Sequence, residues 1–229
     1  KIDIKGCVVG VNIGRNKDVP NEHAIENYVS TFDLLSHLAD YVTVNVSSPN
    51  TPDLRNLQHS ENLERLLASL QDRNSTNKPI LVKIAPDLTE PEIESVVAVC
   101  LQSGISGVVA TNTTTSRPGI AADAASRIGA GGLSGKPLEE LSTNVVSTVY
   151  RYSKGRLPIV GVGGVFTAID AFNKIAAGAS LIQAYTGFIY QGPGFAREVN
   201  NGLARLLREK GFRSLDEAVG SNLRKGPIV

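Results

Sequence analysis

The chain has 229 residues, 41% of them apolar, enough to bury one large α/β core. Its 23 Lys plus Arg balance 22 Asp plus Glu, so nucleic acid is not an expected partner and a small molecule is. Cys7 and Cys100 lie outside any CxxC, and His23, His37 and His59 lack ligand spacing, which argues against a disulfide scaffold or a metal site and places both thiols in the core.

No window approaches the ~20 apolar residues of a membrane span, and nothing resembles a signal peptide. The chain opens within a strand, at KIDIKGCVVGVNIG, so the functional molecule is expected to extend amino-terminally beyond Lys1. CVVGVNIG from Cys7 predicts a first buried strand, and Ile25, Tyr28, Val29, Phe32 and Leu35 then recur at helical spacing. YVTVNVS from Tyr41 predicts the second strand, followed by a helix carrying Leu63, Leu66, Leu67 and Leu70. PILVKIA from Pro79 is the third, and its helix opens on a capping box, Thr89 with Glu92, and stops at Gly104. GVVATNT from Gly107 precedes a fourth helix through Leu138, Leu141, Val145 and Val149, ending at Gly155. PIVGVGG from Pro158 leads into a fifth, started by Thr167 and Asp170 and ending near Gly178. LIQAYTG from Leu181 precedes a sixth, from about Phe195 to Lys210, and Ser214 with Glu217 caps a short last one.

Strand then helix, repeated with nearly continuous apolar strands, implies parallel strands joined by right-handed crossovers. A (β/α)8 TIM barrel needs eight strands and about 250 residues, so the expected fold is the last six β/α units of such a barrel, one domain over residues 1–229. An open doubly wound sheet is the structural alternative.

The carboxyl end of every strand carries small polar groups: Asn12; Asn45 with Ser47 and Ser48; Lys83; Thr111 with Asn112 and Thr113; Gly163 with Gly164; Tyr185 with Thr186. In a barrel that end is the active face. Lys83 stands in ILVKIA, where an unpaired ammonium costs several kcal/mol. No strand carries an Asp or Glu in its core, so a bound anion is its expected partner. GVGG and YTG suit the phosphate site that barrels build after their last two strands. A Rossmann reading fails, because the third glycine of GxGxxG would be Phe166.

Taken in order, VNVSSPNT, VKIAPDL, ATNTTTSRP, GGLSGKPL, GVGGV and AGASLIQAYTGF closely resemble the class 2 dihydroorotate dehydrogenases. The likeness runs along essentially the whole chain, and LLREKGFRSLDEAVG is most similar to the mitochondrial members. The resemblance implies oxidation of dihydroorotate to orotate in pyrimidine synthesis, with FMN passing electrons to ubiquinone at the mitochondrial inner membrane. Ser48 would be the catalytic base, since class 1 relatives use cysteine there, with Thr51 as a candidate proton relay. Asn45, Asn50, Asn112 and Thr113 would hold the pyrimidine. FMN would be held by Asn12, Asn45, Lys83, Thr111, Ser134, Gly135, Gly163, Gly164, Tyr185 and Thr186. The family's first two strands and its quinone-admitting, membrane-contacting helices would precede Lys1, and Ala184 stands where relatives carry a bulkier aliphatic residue. A phosphate-binding barrel acting on a sugar phosphate, as isomerase or lyase, is one rival reading. A non-catalytic FMN-binding fragment is the other.

Overall fold

A computed structural model describes residues 6–117 and 119–224, and within them six parallel strands form one sheet in the order β1-β2-β3-β4-β5-β6. These are β1 (Gly10–Ile13), β2 (Tyr41–Asn45), β3 (Ile80–Ile84), β4 (Gly107–Ala110), β5 (Ile159–Val162) and β6 (Leu181–Gln183). Each strand adds beside the one before it, which gives a curled half-barrel. A doubly wound sheet would reverse its order at a switch point, and the described strands do not.

The register sorts the strand residues onto two faces. Val44 pairs with Val82 and Val82 with Val108, and all three are fully buried. Paired neighbours share a face, so this row is the convex side that the helices cover. The covering helices are α1 (Ala24–Leu35), α2 (Ser60–Arg73) and α3 (Glu90–Gln102), with a short α4 (Ala122–Ile128) before α5 (Glu139–Ser153). Next come α6 (Ala168–Ala176), α7 (Thr186–Gln191), α8 (Phe195–Glu209), α9 (Leu215–Ala218) and α10 (Ser221–Arg224). Tyr28 and Phe32 of α1 and Leu63, Leu66 and Leu70 of α2 present the apolar stripe that their spacing predicts. A smaller core forms where Phe172 and Ile175 of α6 meet Val199 and Leu203 of α8.

The other row turns inward. Asn12 pairs with Thr43, and Asn45, Lys83 and Val109 stand side by side across β2, β3 and β4. The polar strand ends thus converge on one concave face, which is the property that positions a site.

The predicted helix starts form. Thr89 N–H donates to Glu92 Oε2 at 2.7 Å, Asp170 N–H donates to Thr167 Oγ1 at 3.2 Å, and Glu217 N–H donates to Ser214 Oγ at 3.4 Å. Three expectations need correction. Cys7 is exposed, because pairing begins only at Gly10 and Cys7 lies ahead of it; Cys100 is buried as expected, and burial pushes its thiol up to about 12. The strands are not all buried, since β1 and β6 are the edges of the described sheet and Leu181 is 64% exposed. The helices α4, α7 and α10 were not anticipated, being only seven, six and four residues long and too short to show a period.

Candidate active site

The segment VNVSSPNT leaves the carboxyl end of β2 and builds a hydrogen-bonded cluster. Asn45 Oδ1 accepts from Ser47 N at 3.3 Å, from Ser47 Oγ at 3.1 Å and from Asn112 Nδ2 at 3.1 Å. Asn112 Nδ2 also donates to Ser47 Oγ at 3.0 Å, and Asn112 Oδ1 accepts from Thr113 N at 2.8 Å and from Thr113 Oγ1 at 3.4 Å. An asparagine amide has two protons and two lone pairs, so Asn112 is fully engaged and can hold a ligand only by exchanging a partner. Among the described residues, no acceptor engages the Asn45 Nδ2 protons. Its backbone is fixed from behind, where the buried Tyr28 hydroxyl donates to Asn45 O at 2.7 Å.

Ser48 follows on the turn. Its Oγ accepts the Asn50 N–H at 3.2 Å, and its own proton has no acceptor among the described residues. No hydrogen bond joins Ser48 to Thr51 among the described residues. Asn50 is exposed, and Gly131 and Gly132 bring the opposite loop against this turn. A Cβ on Gly132 would lie 1.8 Å from Thr113 Oγ1 and 3.0 Å from Pro49 Cγ, so only glycine permits the approach.

Two residues outside the expected set brace these loops. Arg55 donates from Nε to Ser47 O at 3.3 Å, from Nη2 to Thr113 O at 3.0 Å and from Nη1 to Asp87 Oδ2 at 2.8 Å. Asp87 also receives the Thr114 hydroxyl and, at 3.2 Å, the Thr115 N–H. Burial alone would raise the Asp87 carboxyl, but the bonds from Thr114, Thr115 and Arg55 outweigh it and hold the pKa below its ordinary 3.8. Both residues lie within or next to the quoted motifs, as the Arg of PDLRNLQ and the Asp of VKIAPDL. Their pairing across 32 positions has no local signature.

Arg55 and Asp87 side chains are 24% and 19% exposed. Removing one partner of a fully buried pair costs ~3–5 kcal/mol, so Arg55→Met should cost about 2 kcal/mol here. Because Asp87 titrates lower folded than unfolded, its contribution is complete above 3.8 and is lost as pH falls through the folded value. Urea unfolding at pH 7 and pH 3 should therefore show Asp87→Asn losing less stability on acidification than the parent.

Eight of the ten residues expected to hold a cofactor, all but Asn12 and Asn45, meet in one cleft. It is lined by Lys83 and Thr111 from the sheet, by Ser134 and Gly135 from the loop before α5, and by Gly163, Gly164, Tyr185 and Thr186 at the ends of β5 and β6. Asn112 and Thr113 also line it. Asn12, Asn45, Ser48 and Asn50 stand outside this lining, with Asn12 exposed on β1 and Asn45 linked to the cleft through Asn112.

Among the described residues, Lys83 makes neither ion pair nor hydrogen bond, and burial lowers its pKa from 10.5. Across the cleft, the N–H groups of Gly163, Gly164, Tyr185 and Thr186 donate to no backbone acceptor among the described residues. Thr186 Oγ1 donates to Ser134 Oγ at 3.0 Å, joining the two walls. Gly164 has φ +72°, and a Cβ there would lie 2.4 Å from Glu139 Cα. Gly164→Ala should cost about 3 kcal/mol or more by clash and strain, measurable as a lowered urea midpoint. An ammonium without an anion, facing a wall of unpaired amides, fits a ligand with a polar ring at one end and a phosphate at the other.

The sequence matches the family model described as Dihydroorotate dehydrogenase over residues 3–207. It is 51% identical over 218 residues to a dihydroorotate dehydrogenase (quinone) of Anaeromyxobacter sp. (strain Fw109-5), covering 94% of this chain and 60% of the relative. A protein of the same name from Trichodesmium erythraeum is 48% identical over 217 residues, covering 92% of this chain and 57% of the relative. Among solved structures, DHODH from Eimeria tenella in complex with ferulenol superposes with a TM-score of 0.88 at 36% identity, covering 98% of this chain and 64% of that one. The chain thus spans about 60% of the length of the curated relatives it matches. These curated relatives are bacterial, and the mitochondrial placement implied by LLREKGFRSLDEAVG finds no support among them.

Proposed function

Since the chain belongs to the dihydroorotate dehydrogenase family, we propose that it oxidises dihydroorotate to orotate in pyrimidine synthesis, with FMN in the cleft and a quinone as electron acceptor. The observation that carries this reading is Lys83, a half-buried ammonium that opens on the cleft with no partner among the described residues. An isoalloxazine edge that becomes anionic on reduction is the kind of group it lacks.

FMN, when bound, would supply the two-electron redox chemistry that links dihydroorotate to a quinone. The protein's own work is binding, orientation and proton transfer. Lys83 and Thr111, with Asn12 and Asn45, hold the ring system. The phosphate is held by Ser134 and Gly135 on one wall and by Gly163, Gly164, Tyr185 and Thr186 on the other. Asn45, Asn50, Asn112 and Thr113 surround the pyrimidine, whose alternating carbonyl and N–H edges match amide donors and acceptors. Ser48 Oγ takes the C5 proton while its own hydroxyl proton leaves to solvent, so the step balances. The Asn50 N–H on its oxygen favours the deprotonated hydroxyl, because a hydrogen bond to the charged form lowers a pKa.

A quinone needs an apolar approach, and α7, whose first residues line the cleft, exposes Phe188 at 45%, Ile189 at 60% and Tyr190 at 79%. No helix among the described residues is long and apolar enough to cross a membrane. Contact with a quinone-bearing membrane belongs to the proposal for the whole protein.

Purified full-length protein should be yellow and should be bleached anaerobically by dihydroorotate. A colourless protein that binds sugar phosphates would favour the isomerase or lyase reading. A yellow protein that dihydroorotate cannot bleach would be a non-catalytic flavin carrier.

A further inference from the structure

Behind the glycine turn lies a second lysine that the cleft does not see. Lys174, on α6, is completely buried. Its Nζ donates to Ser142 Oγ in a very short bond, to Thr143 Oγ1 at 2.9 Å and to Glu139 O at 3.3 Å. All three acceptors are uncharged groups in the first five residues of α5. Lys174 forms no ion pair among the described residues; the nearby carboxylates of Glu139 and Asp170 are taken by Lys136 at 2.5 and 2.9 Å.

Ser142 carries the connection forward. Its Oγ lies 3.1 Å from Gly163 O and 3.2 Å from Glu139 O and shares its one proton between them, and a Cβ on Gly163 would come within 2.8 Å of the Ser142 oxygen. The lysine stem packs under the same strand, since a Cβ on Gly161 would lie 3.3 Å from Lys174 Cδ. A chain of hydrogen bonds therefore runs from a buried ammonium, through one hydroxyl, to the peptide whose neighbours line the cleft.

We propose that Lys174 is a positioning residue for the phosphate of the bound flavin, acting through Ser142 on the Gly163–Gly164 turn. The inference rests on reading the cleft as an FMN site. A buried cation is costly, and replacing it by an apolar side chain would be the simpler way to fill this core. Its retention is explained if an anion on the far side of the turn stabilises it. Burial lowers the Lys174 pKa to about 8, against the attraction of Glu139 and Asp170 and with the repulsion of Lys136. By linkage, a phosphate that favours the ammonium is itself bound more tightly because of it.

Riboflavin differs from FMN only in lacking the phosphate, so the ratio of the two affinities isolates the effect. In the full-length protein stripped of flavin, the parent should bind FMN much more tightly than riboflavin. Lys174→Met, which keeps the stem, should narrow that ratio about tenfold while leaving riboflavin affinity unchanged, the loss expected for one charge-assisted contact. Ser142→Ala, which keeps the ammonium but cuts its path to Gly163, should narrow the ratio in the same direction. Equal losses for both flavins, or an unchanged ratio, would show a merely structural lysine and overturn the proposal. If Lys174→Met does not fold, Ser142→Ala decides alone by the same criterion. A parent protein that binds neither flavin overturns the FMN reading itself, and this inference with it.

Discussion

Ser48→Ala is expected to slow the reduction of bound flavin by dihydroorotate by roughly 10² to 10⁴, the usual contribution of a general base. Reoxidation by quinone should keep its rate, because no substrate carbon loses a proton in that half-reaction. The turn itself should survive. Ser48 Oγ contributes one hydrogen bond to it, from Asn50 N at 3.2 Å, whereas Arg55 and the Asn45–Ser47–Asn112 cluster hold the flanking backbone. A merely structural serine predicts the opposite pattern, a small loss spread over both half-reactions. Anaerobic stopped-flow mixing separates the two, and near-parental flavin reduction in Ser48→Ala would remove the residue from the chemistry.

Lys83→Met should act on binding and on potential together. Hydrogen bonds to charged groups contribute roughly 1.5–3 kcal/mol, so reduced FMN should bind about ten- to a hundredfold more weakly. Where that interaction is made mainly with the reduced anion, the flavin potential should fall by about 30 to 60 mV, since 30 mV is about 1.4 kcal/mol for a two-electron couple. The flavin-free protein should respond in the other sense. Lys83 titrates lower folded than unfolded, so the native state carries the desolvation cost at neutral pH and is relieved of it as pH rises towards 10.5. Without flavin, Lys83→Met should therefore melt higher than the parent at pH 7, with the gap closing at alkaline pH. A flavin-loaded Lys83→Met protein with an unchanged potential would mean that the ammonium serves another partner.

Much of this protein is set by its sequence alone. Apolar runs separated by amphipathic segments leave few alternatives to parallel β/α units, because each strand must be buried between a helix and its neighbours. The Thr89–Glu92 and Thr167–Asp170 boxes mark helix starts by chemistry that spans only three residues. Polar residues at successive strand ends are legible for the same reason: parallel strands bring all their carboxyl ends to one side. The ammonium of Lys83 is conspicuous against the apolar run that holds it.

What the tertiary structure decided are contacts with no periodic or local trace. Whether Cys7 is buried depends on where pairing begins, at Gly10, and not on its apolar neighbours. Asn112 reads as a ligand-binding amide, yet both of its protons are taken by Asn45 and Ser47, 67 and 65 residues away. Arg55 resembles any helix-turn arginine until the sheet places it beside Asp87 and Thr113. Lys174 has no distinguishing mark in a segment legible only as a helix, and the packing of α6 against α5 buries it among Glu139, Ser142 and Thr143. Local physics chooses the elements and aims their ends; the partners of a buried charge are fixed by how those elements meet.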